Sequence, residues 1–245
     1  MKKTFKSILY TFIGIILLGI SSCFILSEKM PEGQEGPAAE ALTDKMFDAI
    51  NKEAWATMNI VQWTFVGHDY LWDKREDWLK VNWGNKEVLM DMPAWEGEVY
   101  RNGKKLNGWQ RDRIFKRAYT FFCNDSFWFN APVKARDEGT SRFLVEQEDG
   151  SEALLVKYSS GGVTPGDSYL WLLDESGQPT GWKMWVKIIP IKGTYTSWEK
   201  WTTLDHGGRV ATLHDMNIVE TSIDNIAAAQ SYEELGIENP FPFDQ

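Results

Sequence analysis

Residues 169–185 read YLWLLDESGQPTGWKMW. In an extended chain Tyr169, Trp171 and Leu173 face one side and Leu170 and Leu172 the other, so this segment is apolar on both faces. A turn follows, marked by Gly177 and Pro179, and residues 181–188 return as a second strand. There Trp182, Met184, Val186 and Ile188 point one way, and Lys183, Trp185, Lys187 and Ile189 the other. A strand buried on both faces needs cover on each. The pair therefore predicts a strongly curved antiparallel sheet, an incomplete barrel, with helices or ligand on one side.

Working outward, the rest of the chain fits this. Ala39, Leu42, Met46, Ala49 and Ile50 recur at helical spacing after Pro37, predicting a helix over residues 38–54. Short strand-like runs follow at 60–65, 68–72, 78–83 and 86–92, with Val66-Gly67 and Gly84-Asn85 as tight hairpins. From about Leu106 to Asn124 the period is helical again, with Ile114, Phe115, Ala118, Phe121 and Phe122 on one face. That amphipathic segment is expected to cover the sheet or to act as a mobile lid. Strands are expected again at 127–129, 142–147, 153–158, 195–204 and 209–217, with Asp149-Gly150 and Gly207-Gly208 as turns. The whole reads as mainly β with added α: about ten strands in one curved sheet and two covering helices.

Domain organisation begins with the leader. Lys2, Lys3 and Lys6 precede an apolar stretch, and Ile20-Ser21-Ser22-Cys23 closes it, the pattern of a secretory signal over residues 1–22. The placing of Cys23 resembles the lipobox of bacterial lipoproteins, which implies acylation of its thiol and export to the bacterial cell envelope. Phe24, Ile25 and Leu26 extend the apolar run far enough to span a bilayer, so an uncleaved inner-membrane anchor stays open. Residues 23–36 are expected as a lipidated tether and 37–245 as a single β-rich domain.

Composition narrows the function classes. The chain carries 26 basic and 35 acidic residues, net −9. Residues 1–22 hold three Lys and no acid, so without them the net is −12. This disfavours nucleic acid and anionic lipid headgroups as partners, since both need basic patches. Cys123 is the one cysteine besides Cys23, which leaves no disulfide inside the domain and no Cys-based metal site. Thirteen Trp, thirteen Phe and eight Tyr make the core strongly aromatic.

Residues 169–185 also resemble the lipoprotein-localisation factors. In that family a strand ending in an acidic residue meets a Gly-x-Pro turn and an aromatic-rich return strand. The order of N-terminal helix, strands and inserted helices is similar too. The resemblance implies an incomplete antiparallel barrel closed by helices, with an apolar cavity for acyl chains. The lipid-anchored start is nearer the outer-membrane receptor type.

No phosphate loop, nucleophile elbow or His-Glu-x-x-His helix is present, and no enzyme, cofactor or metal is expected. His68, His206 and His214 each adjoin an acid without ligand spacing. The expected ligand is a lipid or acyl chain, with Trp63, Trp72, Trp83, Trp128, Trp171, Met184 and Trp185 as candidate cavity residues. The alternative is a surface module for glycans or proteins built on an exposed Trp198–Trp201 platform.

Overall fold

The computed structural model describes residues 25–161, 163 and 165–243. The leader and Cys23 lie outside the described residues, as does the end of the chain after Phe243. Among the described residues no helix is long and apolar enough to cross a membrane.

Two helices open the fold, α1 (Pro37–Ile50) and α2 (Lys52–Thr57). Six strands follow: β1 (Ile60–Phe65), β2 (His68–Asp73), β3 (Trp78–Trp83), β4 (Lys86–Asp91), β5 (Glu96–Arg101) and β6 (Lys104–Lys105). Then come α3 (Gly108–Asn130) and a 3-10 helix (Ala131–Arg136). The last eight strands are β7 (Thr140–Glu146), β8 (Glu152–Tyr158), β9 (Ser168–Leu173), β10 (Pro179–Trp185), β11 (Thr194–Ser197), β12 (Glu199–Thr203), β13 (Arg209–Asp215) and β14 (Glu220–Ala229).

The fold is mainly β with helices, but its strands form two antiparallel sheets rather than one of about ten strands. Nine run in the order β12-β13-β14-β1-β2-β3-β4-β5-β6 and five in the order β11-β10-β9-β8-β7; neither closes. The expected strand at 195–204 is broken at Trp198, between β11 and β12. The Trp198 N–H donates to the Thr180 carbonyl at 2.9 Å, so the chain leaves one sheet and enters the other within one residue. The Ser197 hydroxyl oxygen accepts the Asp215 N–H at 3.1 Å, tying β11 to the end of β13.

Five further segments differ from expectation. The first helix stops at Ile50 because Asn51 takes the left-handed conformation (φ 53°), which Asn tolerates, and α2 continues beyond it. Residues 127–129 are not a strand. The buried stripe of α3 runs on from Phe122 to Phe129, and Pro132 then turns the chain into the 3-10 helix. Strands β5, β6 and β14 lie in sequence without strong alternation; β14 is alanine-rich and bulged against β1 where the register shifts between Gln62 and Thr64.

Each sheet carries buried residues on both faces of its central strands. Inside the larger sheet, Val61, Trp63, Tyr70, Val81 and Met90 pack against Ile114, Phe115 and Phe122 of α3. Inside the smaller, Leu154, Val156, Trp171 and Trp182 pack against Leu42, Met46 and Ile50 of α1. The turn joining β9 and β10 touches α1 so closely that a Cβ on Gly177 (φ 88°) would sit 2.5 Å from the Lys45 carbonyl oxygen.

Irregular segments cover the outer faces. Residues 27–36 lie along the smaller sheet: Gln34 and Leu144 exchange backbone hydrogen bonds at 2.8 Å, and Met30 packs over Val145, Leu155 and Leu170. The C-terminal segment covers the larger sheet, where Phe241 joins Ile60, Leu71, Trp78 and Leu89. Phe241 and Phe243 thus dock on the sheet, both against Trp78.

Candidate functional site

A cleft of about 700 Å3 opens between the two sheets. Its floor is the second half of α3, which supplies Tyr119, Phe122, Cys123, Phe127 and Trp128. The larger sheet contributes Trp72 and the β4–β5 turn residues Met92 and Trp95. The smaller contributes Tyr158, Tyr169, Trp182, Met184 and Val186, with Ile188 and Ile189 just beyond β10.

Helix α3 is fixed above the larger sheet by a buried polar contact. Asp125 accepts a hydrogen bond from the Tyr70 hydroxyl at 2.6 Å and lies 2.7 Å from His68 Nδ1. Burial raises the Asp125 carboxyl above its usual value, against the lowering pull of His68 and Tyr70. Phe127 meets Tyr169 at 4.8 Å and Trp128 meets Trp182 at 5.2 Å, so the same helix also packs on the smaller sheet.

Polar side chains line the cleft as well, among them the carboxyl groups of Asp77, Asp137, Glu138 and Asp167, and Asp167 and Ser126 are buried. Asp77 accepts the Trp72 indole N–H at 2.9 Å, and Asp167 accepts the Lys187 backbone N–H at 2.9 Å. Lys134 is the cation of the lining, with Asp137 and Glu138 nearby. Burial pushes the Cys123 thiol up, so it lines the wall in its neutral form. The Tyr158 hydroxyl is buried without a hydrogen-bond partner among the described residues. Among the described residues no three His, Cys, Asp or Glu side chains cluster as metal ligands do.

Of the seven residues expected at a cavity, Trp72, Trp128 and Met184 line this cleft. Trp63 and Trp171 are sealed in the core: Trp63 is stacked between Tyr70 and Phe129, and Trp171 lies against Trp182 and Trp198. Trp185 points to the outer face, where its indole N–H donates to the Glu28 carbonyl at 2.9 Å. Trp83 lines a separate pocket. Sequence reasoning missed Phe127, Tyr158 and Tyr169 as wall residues. The helical period continuing past Asn124 was the signal for Phe127; nothing local marks the other two.

The remaining candidates are placed as follows. Trp198 is 2% exposed, and the Trp201 indole N–H is spent on the Pro179 and Trp198 carbonyls, so the pair forms no open platform. His206 lies 2.9 Å from Glu234, and His214 is buried beside Trp128 and Trp198.

No protein-family model matches the chain, and no curated protein matches it. Among solved structures, a DUF1329 family protein from Desulfovibrio piger is similar, with a TM-score of 0.39 and 11% identity over 82% of this chain and 99% of that one. The likeness is too slight to carry an argument about function.

Proposed function

We propose that this chain is an exported, membrane-anchored protein that holds a lipid or acyl chain in the cleft between its two sheets. The cleft itself carries the reading: a largely aromatic and aliphatic wall around about 700 Å3. That volume falls within the range of about 300–1,000 Å3 usual for small-molecule sites. Each methylene moved from water into such a wall contributes about 0.8 kcal/mol. The four carboxyl groups and Lys134 of the lining must stay hydrated or meet a polar headgroup, which restricts where the acyl part lies.

The anchor rests on the leader, either through a lipid on Cys23 or as an uncleaved span. A role in handing on acyl chains, as in lipid or lipoprotein trafficking, follows from the resemblance of residues 169–185 to the localisation factors. The glycan-platform reading built on Trp198 and Trp201 loses Trp198, which is buried.

Native mass spectrometry of the full chain tests the cleft directly. A mass excess matching a phospholipid or fatty acid, displaced by added fatty acid, is the expected result. A bare polypeptide mass that stays bare after incubation with fatty acid and phospholipid would sink the proposal.

A further inference from the structure

A second pocket, of about 370 Å3, lies at the far end of the larger sheet beneath the first turns of α3. From the helix, Trp109, Arg113 and Arg117 recur every four residues and so share one face. Across from them stand Trp83, Lys86 and Arg101. Lys86 is the cross-strand partner of both Trp83 and Arg101.

Four cations and no acid line this pocket, in a chain whose net charge is −9. Neighbouring charges do find partners: Lys80 pairs with Glu87 at 2.9 Å, Arg111 with Asp112 at 3.1 Å, and Lys105 with Glu98. Arg101, Arg113, Arg117 and Lys86 are in no ion pair among the described residues. Lys86 and Arg101 face each other directly, an arrangement of like charges that costs stability unless an anion lies between them.

The helix end adds to the same field. The first turn of α3 carries no acidic residue, and Asn107 makes no side-chain cap to it. Its free backbone N–H groups and dipole favour negative charge at that end. Meanwhile Trp109 is 69% exposed at the rim. Nothing in the fold requires a large indole there.

We propose that this pocket binds a phosphate ester. The anion is held by the Arg113, Arg117 and Arg101 guanidinium groups and by Lys86, and the attached ring or chain lies against Trp83 and Trp109. Guanidinium forks match phosphate oxygens in pairs, and an indole face takes a flat or apolar appendage. The phosphate can belong to a soluble ester or to a phospholipid headgroup, since the recognising chemistry is the same. This site is separate from the apolar cleft and stands independently of it.

The test compares the full-length chain with the double variant Arg113→Gln/Arg117→Gln and, from the opposite wall, Arg101→Gln. The helix substitutions are at exposed positions. Binding of inorganic pyrophosphate is read by calorimetry and tryptophan fluorescence at constant ionic strength. Binding to phosphatidylglycerol vesicles is read against phosphatidylcholine vesicles, with every variant carrying the same leader. The expected result is saturable binding in at least one arm that weakens at least about tenfold in the double variant. Pyrophosphate binding points to a soluble ester, and vesicle binding alone to a headgroup. Trp109→Phe is expected to lose most of the fluorescence response while keeping calorimetric binding. No binding by the parent chain in either arm, or equal binding by parent and both charge variants, would overturn the proposal.

Discussion

The imidazole of His214 meets the indole of Trp198 edge-on, with ring centres 4.5 Å apart. His214 belongs to β13 of the larger sheet, and Trp198 is the residue at which the chain crosses between sheets. Trp128 of α3 closes the third side at 5.3 Å. A titratable ring thus sits where the two sheets and α3 meet.

That ring gives the fold a defined acid sensitivity. Burial pushes the His214 pKa from 6.5 down to about 4, against the raising pull of the Ser197 and Trp128 backbone groups. A depressed folded value means that the unfolded chain takes up the proton first as pH falls. The contribution is full above pH 6.5 and is lost progressively toward pH 4, a change on the order of 3 kcal/mol. Denaturant titrations across that window should show the loss in the parent chain and a flatter profile in His214→Phe. Equal slopes would show that the ring is not the source.

Trp185 at the end of β10 and Ile189 in the loop beyond it make a sharp test of where an apolar ligand sits. Ile189 lines the cleft and is half-buried, whereas Trp185 packs on the outer face. Ile189→Glu places a carboxylate in the wall and should weaken binding of a fluorescent fatty acid at least about tenfold. Trp185→Phe should leave that affinity unchanged. The reverse pattern would place the ligand on the other side of the sheet.

Trp63 contributes to stability rather than to binding. Its ring lies 4.7 Å from both Tyr70 and Phe129, nearly parallel to each, and it is 1% exposed. Trp63→Ala should cost about 3–5 kcal/mol by chemical denaturation. Under native conditions, fatty-acid affinity of the folded fraction should be unaltered.

The C-terminal cover is expected to detach on its own. Phe241 is 6% exposed, 5.7 Å from Trp78 and 6.0 Å from Phe243. Phe241→Ala removes the buried apolar anchor of the C-terminal segment. Such segments open locally before the fold does. Limited proteolysis should clip the tail several-fold faster, with the global unfolding midpoint shifted less than in Trp63→Ala. Unchanged cleavage would mean that Phe243, Tyr232 and Leu235 hold the segment without it.

What the sequence determined was local. Alternation in residues 60–92 and 142–188 located eight strands, the last of which ends at Trp185 rather than at 188, because each strand carries its own buried stripe, and Gly67, Gly84, Gly150 and Gly177 all take positive φ at the turns read from them. The two-faced pattern of Leu170, Trp171 and Leu172 required cover on both sides, and the structure supplies helices within and chain ends without. What only the tertiary structure decided were relationships between distant segments. The break at Trp198 depends on a bond to Thr180, the pairing of β14 depends on β1, and both lie in sequence without a local stop signal. The sorting of tryptophans is of the same kind. Trp171 and Trp72 look alike along the chain, yet one is sealed against Trp182 and Trp198 while the other faces the cleft. Side-chain periodicity says which face a residue takes; whether that face meets a packed neighbour or an opening depends on how two sheets and a helix come together.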